Sequence, residues 1–199
     1  MKQARGSAQP GSRRSGGLFR KSKPTAANIL STEKERAVNC SMTNVVLQFL
    51  ERAIELSSQG MKSGQGGPFG CVVVKDGRIV GEGCNEVTAT NDPTAHAEVV
   101  AIRQACKNLR TFQLTGCDIY ASCEPCPMCL GAIYWARPAR VIYANTKGDA
   151  AAIDFDDQFI YQEIEKEGPA RKIPFMHCPH PAALAVFADW KKEGNKILY

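Results

Sequence analysis

His96-Ala97-Glu98 is answered about thirty positions later by Pro125-Cys126-Pro127-Met128-Cys129. One imidazole and two thiols supply three soft-to-borderline metal ligands, His96, Cys126 and Cys129. That is one ligand fewer than a closed tetrahedral zinc site. Four protein ligands usually make a structural site, whereas three leave a position for a water that the metal can make nucleophilic. Glu98, two residues from the histidine, can manage that water's protons. The chemistry implied is hydrolysis at an amidine-like carbon, with Glu98 passing a proton to the ring nitrogen and the departing ammonia.

Other readings of the same residues stay open. Cys-x-x-Cys alone is also a redox pair or half of a zinc ribbon. A redox pair needs no His-x-Glu, and a ribbon needs a second, separate Cys-x-x-Cys away from this segment, which the sequence lacks. Cys123, three residues before Cys126, is a candidate fourth ligand that would close the site.

The elements that must hold these residues follow from the apolar pattern. From Thr43 as N-cap, Val46, Leu47, Leu50, Ile54 and Met61 follow helical spacing, with Gly60 as a stop. The glycine-rich loop 64–68 precedes Phe69-Gly70-Cys71-Val72-Val73-Val74, a continuous apolar run typical of a buried strand. Asp76-Gly77 signals a two-residue hairpin into a second, antiparallel strand over 78–83. A helix from Pro93 or Thr94 to Leu109 carries Glu98. Residues 117–121 and 140–144 read as further strands, with a helix over 128–135 between them. A helix over 156–166 turns Phe159, Ile160 and Ile164 inward. A fifth strand over 173–176 and a last helix over 182–192 complete the chain. This alternation predicts a three-layer α/β/α sandwich around a five-stranded mixed sheet. His96 and Cys126 then begin two neighbouring helices, whose N-termini favour thiolate over thiol.

Composition narrows the class. The chain has 199 residues, 44% hydrophobic and 23% charged, as in soluble globular proteins. No run approaches the roughly 18 apolar residues of a membrane span. Nine cysteines in an odd, irregular pattern, several inside apolar runs (Cys71, Cys84, Cys106), argue against a disulfide framework. The net charge of +5 is concentrated in residues 1–40, where nine Lys and Arg face two acids, giving +7. The remaining 159 residues therefore total −2, without the basic face usual in a polynucleotide-binding domain. Residues 1–41 read as a disordered basic extension, with a transit peptide or a nucleic-acid arm as alternatives. The folded domain is assigned to 42–199.

His96-Ala97-Glu98 with Cys123-Glu124-Pro125-Cys126-Pro127-Met128-Cys129 resembles the cytidine deaminase-like superfamily of zinc-dependent deaminases. Gly66-Gly67-Pro68-Phe69-Gly70, Asn91-Asp92-Pro93-Thr94 and Phe155-Asp156-Asp157 are similar to its bacterial guanine deaminase branch, from about residue 42 to the end. The resemblance implies one Zn²⁺ per subunit on His96, Cys126 and Cys129, with Glu98 as proton shuttle. It implies that Asn85 hydrogen-bonds the purine, Phe69 lines the ring pocket and the Ala97 N–H meets the base. Asp157 would join the catalytic set, accepting hydrogen bonds from guanine's N1–H and 2-amino group, donors that adenine lacks. Family likeness further implies a homodimer exchanging C-terminal segments, with Tyr199 closing the partner's site and Trp135 helping to line the pocket. Bland roles compete: a turn cap for Asn85, core packing for Phe69, helix capping for Asp156 and Asp157. His177 and His180, in a proline-rich loop, receive no role.

The expected activity is hydrolysis of guanine to xanthine and ammonia in purine catabolism or salvage, on a small-molecule substrate, with no membrane and no nucleic-acid partner. The alternatives are guanosine deamination, tRNA-editing adenosine deamination and a non-enzymatic zinc-stabilised protein. The expected location is the cytoplasm, or an organelle if the extension is a transit peptide.

Overall fold

The computed structural model describes the backbone of residues 26–198 and the side chains of residues 44–198. Expectations that rest on residues 1–25 and on Tyr199 lie outside the described residues. The chain divides into two compact units, Met1–Ser41 and Met42–Tyr199, and the site belongs to the second.

Helix α1 (Ala26–Lys62) begins upstream of the expected Thr43 cap. No Gly or Pro stands between Pro24 and Gly60 to stop a helix there. Strand β1 (Gly70–Lys75) and β2 (Arg78–Cys84) form the expected hairpin, paired antiparallel up to Lys75 opposite Arg78. Its two turn residues, Asp76 (φ 49°) and Gly77 (φ 71°), both take the left-handed conformation that a type I′ turn requires. A short helix α2 (Val87–Thr90) leads to α3 (Ala97–Leu109), then β3 (Cys117–Cys123), α4 (Pro127–Ala136) and β4 (Arg140–Asn145). Helices α5 (Lys147–Ala151), α6 (Gln158–Glu165) and α7 (Pro181–Lys192) follow.

The sheet runs in the order β2-β1-β3-β4, with β1 antiparallel to β2 and β3, and β3 parallel to β4. Side chains of β1 alternate between two covered faces, which explains its unbroken apolar run. Val72 and Val74 meet Phe49 of α1 and Tyr120 of β3. Cys71 and Val73 face the opposite way, toward Ala97, Ala101 and Ala105 of α3 and Ile133 of α4. Burial of each such valine contributes roughly 1.5–3 kcal/mol. The result is the expected three-layer α/β/α sandwich around a mixed sheet.

Three expectations need correction. The sheet has four strands among the described residues, because 173–176 forms no strand and Ile173, Phe175 and Met176 are exposed. Pro174 within that stretch lacks the N–H that a ladder needs. In α1 the inward stripe is Phe49, Ala53 and Ser57, while Leu47, Ile54 and Met61 are exposed. The small residue at 53 admits Gly70, where an added Cβ would come within 2.6 Å of the Ser57 nitrogen. In α6, Phe159 and Ile164 are exposed, and no residue of the helix is buried.

Glycines set how closely α3 approaches the sheet. A Cβ at Gly83 would lie 2.6 Å from the Ala97 carbonyl oxygen. Helix α3 therefore rests directly on the β2 backbone, with its first turn at the end where β2 and β3 finish. Helix α4 starts four residues after β3 ends, at that same end, where α/β sheets commonly hold their sites.

Candidate metal centre and active site

His96 is the N-cap of α3 and Cys126 the N-cap of α4, both in extended backbone (φ −70°, ψ 153° and φ −67°, ψ 169°). Neither side chain makes a capping hydrogen bond. Both are thus available for another task. Pro127 at the first helical position presets α4. Cys129, three residues after Cys126, falls on the same face of the helix.

The His96 Nδ1 atom lies 3.5 Å from the Cys126 Sγ and 3.5 Å from the Cys129 Sγ. All three ligand atoms are within 4.8 Å of one another. Tetrahedral zinc with bonds of about 2.3 Å to sulfur and about 2.0–2.1 Å to nitrogen separates neighbouring S and N ligands by roughly 3.5 Å. The donor set and its spacing fit that ion. The local charge agrees. The Cys126 thiol is pulled down to about 4, first by the bond it accepts from Cys129 and then by His96. The Cys129 thiol is driven the other way by the same contact and by burial. Burial, and then the charge on Cys126, raise the Glu98 carboxyl above its usual range. One thiolate at Cys126, with the Cys129 thiol and the Glu98 carboxyl beside it, is a donor set that a bound cation would draw fully into its ionised form.

Cys123 does not join the group. Its Sγ lies 3.5 Å from the Thr146 carbonyl oxygen, and burial pushes its thiol up to about 11. Among the described residues the cluster has three ligands, the open type.

A cleft of about 530 Å³ opens over this cluster, lined by His96, Glu98, Cys126, Phe69, Asn85 and Asp157. Asn85 is buried, and its Oδ1 accepts from the Gly67 N–H (3.3 Å) and the Val87 N–H (3.2 Å). These donors fix the amide's orientation and leave its NH₂ to serve the cleft. Asn85 thus does structural work and remains available for a ligand. The Gly64–68 loop can pass only because residue 66 is glycine: an added Cβ would sit 2.6 Å from the Asn85 carbonyl oxygen. Phe69 packs against the core and also walls the cleft, with Phe155 edge-on to it (centroids 4.9 Å apart, 87° between planes).

The two neighbouring acids divide their labour. Asp156 Oδ1 accepts from the Gln158 N–H at 2.9 Å and so performs the helix-start bonding. Asp157 occupies the N-cap position of α6 without a capping hydrogen bond. Its carboxylate is left to the cleft, where burial raises its pKa. Ala97 is the first residue of α3, where the backbone N–H has no acceptor within the helix.

Trp135 lies elsewhere. It lines a second cleft, with Phe112 and Ile102, because it stands nine residues after Cys126, near the far end of α4. Several cleft residues carry no sequence signal of their own. Phe155 falls inside the Phe-Asp-Asp segment, where the acids draw attention. Lys147 and Glu124 line the cleft through a contact between the β3–α4 loop and the start of α5, a tertiary event without a periodic trace. No helix among the described residues is long and apolar enough to cross a membrane.

A mixed α/β/α sheet carrying an open His/Cys/Cys centre, with a buried glutamate beside it, defines a zinc-dependent deaminase. The profile described as the cytidine and deoxycytidylate deaminase zinc-binding region matches residues 43–145. The guanine deaminase of Bacillus subtilis (strain 168) is 56% identical over 151 residues, covering 76% of this chain and 97% of that protein. The chain belongs to the cytidine and deoxycytidylate deaminase zinc-binding family, within its guanine deaminase branch. An X-ray structure of guanine deaminase from Bacillus subtilis superposes with a TM-score of 0.75 at 56% identity, over 76% of this chain and 97% of that one. A structure of guanine deaminase from Nitrosomonas europaea gives 0.53 at 30% identity, over 55% and 63% of the two chains. The tRNA-specific adenosine deaminase of Aquifex aeolicus is 40% identical over 96 residues, 48% of this chain and 63% of that protein.

Proposed function

We propose that this protein hydrolyses guanine to xanthine and ammonia. The observation that carries the reading is the convergence, in one cleft, of the His96/Cys126/Cys129 cluster, the buried Glu98 and the uncapped carboxylate of Asp157. His96 Nδ1, Cys126 Sγ and Cys129 Sγ would hold zinc, which when bound supplies the Lewis acidity that makes water nucleophilic at neutral pH.

The remaining work falls to the chain's own groups. Phe69, with Phe155 edge-on against it, gives the cleft an aromatic wall on which a planar ring can lie and from which water is excluded. Asn85 donates from its NH₂ to an acceptor of the purine, and the Ala97 N–H donates alongside it. Asp157, ionised, accepts from N1–H and the 2-amino group. Glu98 takes the proton released when the new C–O bond forms. It delivers that proton to the ring nitrogen, then takes the proton of the added hydroxyl and passes it to the departing amine as the C–N bond breaks and the new carbonyl forms. Adenine offers Asp157 neither donor, leaving a buried carboxylate unpaired, a strong ground for rejection.

An ammonia-release panel with guanine, guanosine, adenine, cytosine, cytidine and tRNA tests the reading. Guanine alone should turn over. Preferred release from guanosine or from tRNA would replace it with the corresponding alternative.

Residues 42–199 form the deaminase domain in this reading, with 1–41 as an extension. The working unit is a homodimer that exchanges C-terminal segments, supported by the apolar side chains that α7 leaves exposed. The family likeness gives Tyr199 the task of closing the partner's cleft, and on that reading Tyr199→Ala should raise KM without unfolding the protein. The free cysteines among the described residues support a reducing compartment, the cytoplasm.

A further inference from the structure

Two stretches of chain meet at the cleft: the loop before β1, which holds Asn85 in place, and the turn after α5, which leads to Asp157. On the first, three hydrogen bonds close a ring of residues. The Gly67 N–H donates to the Asn85 Oδ1 (3.3 Å), the Asn85 N–H to the Phe69 carbonyl oxygen (3.0 Å), and the Phe69 N–H to the Gly67 carbonyl oxygen (2.8 Å). Turning the Asn85 amide would break into this ring.

A tight turn sets the second stretch against that ring. The Phe155 N–H folds back to the Ala150 carbonyl oxygen at 3.1 Å, with Asp154 in the left-handed conformation (φ 70°). Residues with a Cβ adopt that conformation uncommonly, and such strain gathers at functional sites. The Phe155 side chain then stands edge-on to Phe69, with centroids 4.9 Å apart and 87° between the planes. It lies so close over Gly67 that an added Cβ there would come within 2.9 Å of the Phe155 Cζ. Phe155 is 46% exposed, so this loop, and not an enclosing core, holds it. Two residues on, Asp157 starts α6, its carbonyl oxygen accepting from the Ile160 N–H at 2.9 Å.

We propose that Phe155 is a positioning residue that locks Asp157 to Asn85, fixing the spacing between the two groups that read the base. This rests on the reading of both as groups that meet guanine. An edge-on aromatic pair is directional, setting an angle as well as a distance. An aliphatic side chain would fill much of the same space but let the turn at 154–157 slide along the loop. Gly67 belongs to the device, because any side chain there would lift the Phe155 ring. Selection needs both readers in register: a base that satisfies one and misses the other leaves a polar group of the site unpaired.

The test compares Phe155→Leu, Phe69→Leu, Asp157→Asn and the Phe155→Leu/Asp157→Asn double variant with the unaltered zinc-loaded full chain. In steady-state kinetics with guanine, Phe155→Leu should raise KM about three- to tenfold, the scale of one aromatic pair, with kcat within about twofold. In the Asp157→Asn background the same change should raise KM by no more than about twofold, because the group it positions is gone. A full further rise there would mean that the ring merely touches the purine, and would overturn the proposal. Hydrogen exchange without purine reads the lock directly. Phe155→Leu should speed exchange of the Gly67 amide, and Phe69→Leu that of the Ile160 amide, while amides of β1 and β3 keep their rates. Unaltered exchange at both amides would also overturn it. If Asp157→Asn alone leaves KM unaltered, the reading of Asp157 fails, and the exchange arm still decides whether Phe155 joins the two stretches.

Discussion

At the scale of single residues, the centre separates groups that hold a metal from a group that moves protons. Glu98→Gln keeps the shape of the site and removes the proton carrier. It should lower kcat by about 10²–10⁴, the usual worth of general acid–base catalysis, while zinc content by atomic absorption stays at one per chain. A steady-state rate near that of the unaltered protein would remove Glu98 from its role. Cys129→Ser should do the reverse, lowering zinc content and activity together. The pH profile has a direction fixed by Asp157. Its pKa is raised in the fold, so protonation begins at a higher pH than for an ordinary aspartate, and kcat/KM should fall there as pH decreases. Much of this was legible in the sequence. His96, Glu98, Cys126 and Cys129 declare themselves by spacing, because two helix starts and one helical turn fix their geometry. Asp156 and Asp157 were legible as a pair, and the family likeness favoured Asp157, but spacing alone could not divide their labour, since a choice between adjacent carboxylates depends on which one the Gln158 N–H reaches.

At the scale of elements, the strands and central helices followed from period and turn chemistry: the unbroken run in β1, the Asp76-Gly77 turn, the proline at the start of α4. What was misread lies where tertiary contact outranks pattern. The inward face of α1 follows the small Ala53 that lets Gly70 approach, not the larger Leu47 and Ile54. Residues 173–176 have strand-like composition but Pro174 in the middle. Gly66 illustrates how a loop serves the site. Gly66→Ala would push its new methyl against Asn85, and should raise KM for guanine well before it lowers the melting temperature. The ion pair from Arg52 of α1 to Glu82 of β2, 2.8 and 3.0 Å, joins two layers at a half-buried position. The Arg52 guanidinium holds the Glu82 carboxyl below its usual range. Its stabilising effect is therefore present above the ordinary carboxylate pKa and is lost as pH falls through the lowered one. Glu82→Gln should cost up to about 1 kcal/mol in urea unfolding at pH 7, and progressively less toward pH 3.

At the scale of the whole molecule, the C-terminal helix stands out for what it leaves uncovered. Leu184 is 70% exposed, Phe187 74% and Trp190 48%, three residues apart each time, and nothing in α7 is buried. Such an exposed apolar face marks an interaction surface. For the homodimer proposed above, removal of residues 181–199 should leave a monomer in sedimentation equilibrium, with guanine turnover lost and zinc retained. A dimer that survives the truncation would locate the contact elsewhere. The placement of the ligands at the first residues of two helices, thirty positions apart in sequence, reaches further than the cleft. An ion held there staples α3 to α4, and the unfolded chain has no such preformed grip on it. Mass action then ties folding to supply: a free zinc concentration one hundred times the dissociation constant adds about 2.7 kcal/mol to stability. The melting temperature of this protein should climb and fall with buffered zinc, making the fold itself a gauge of the metal around it.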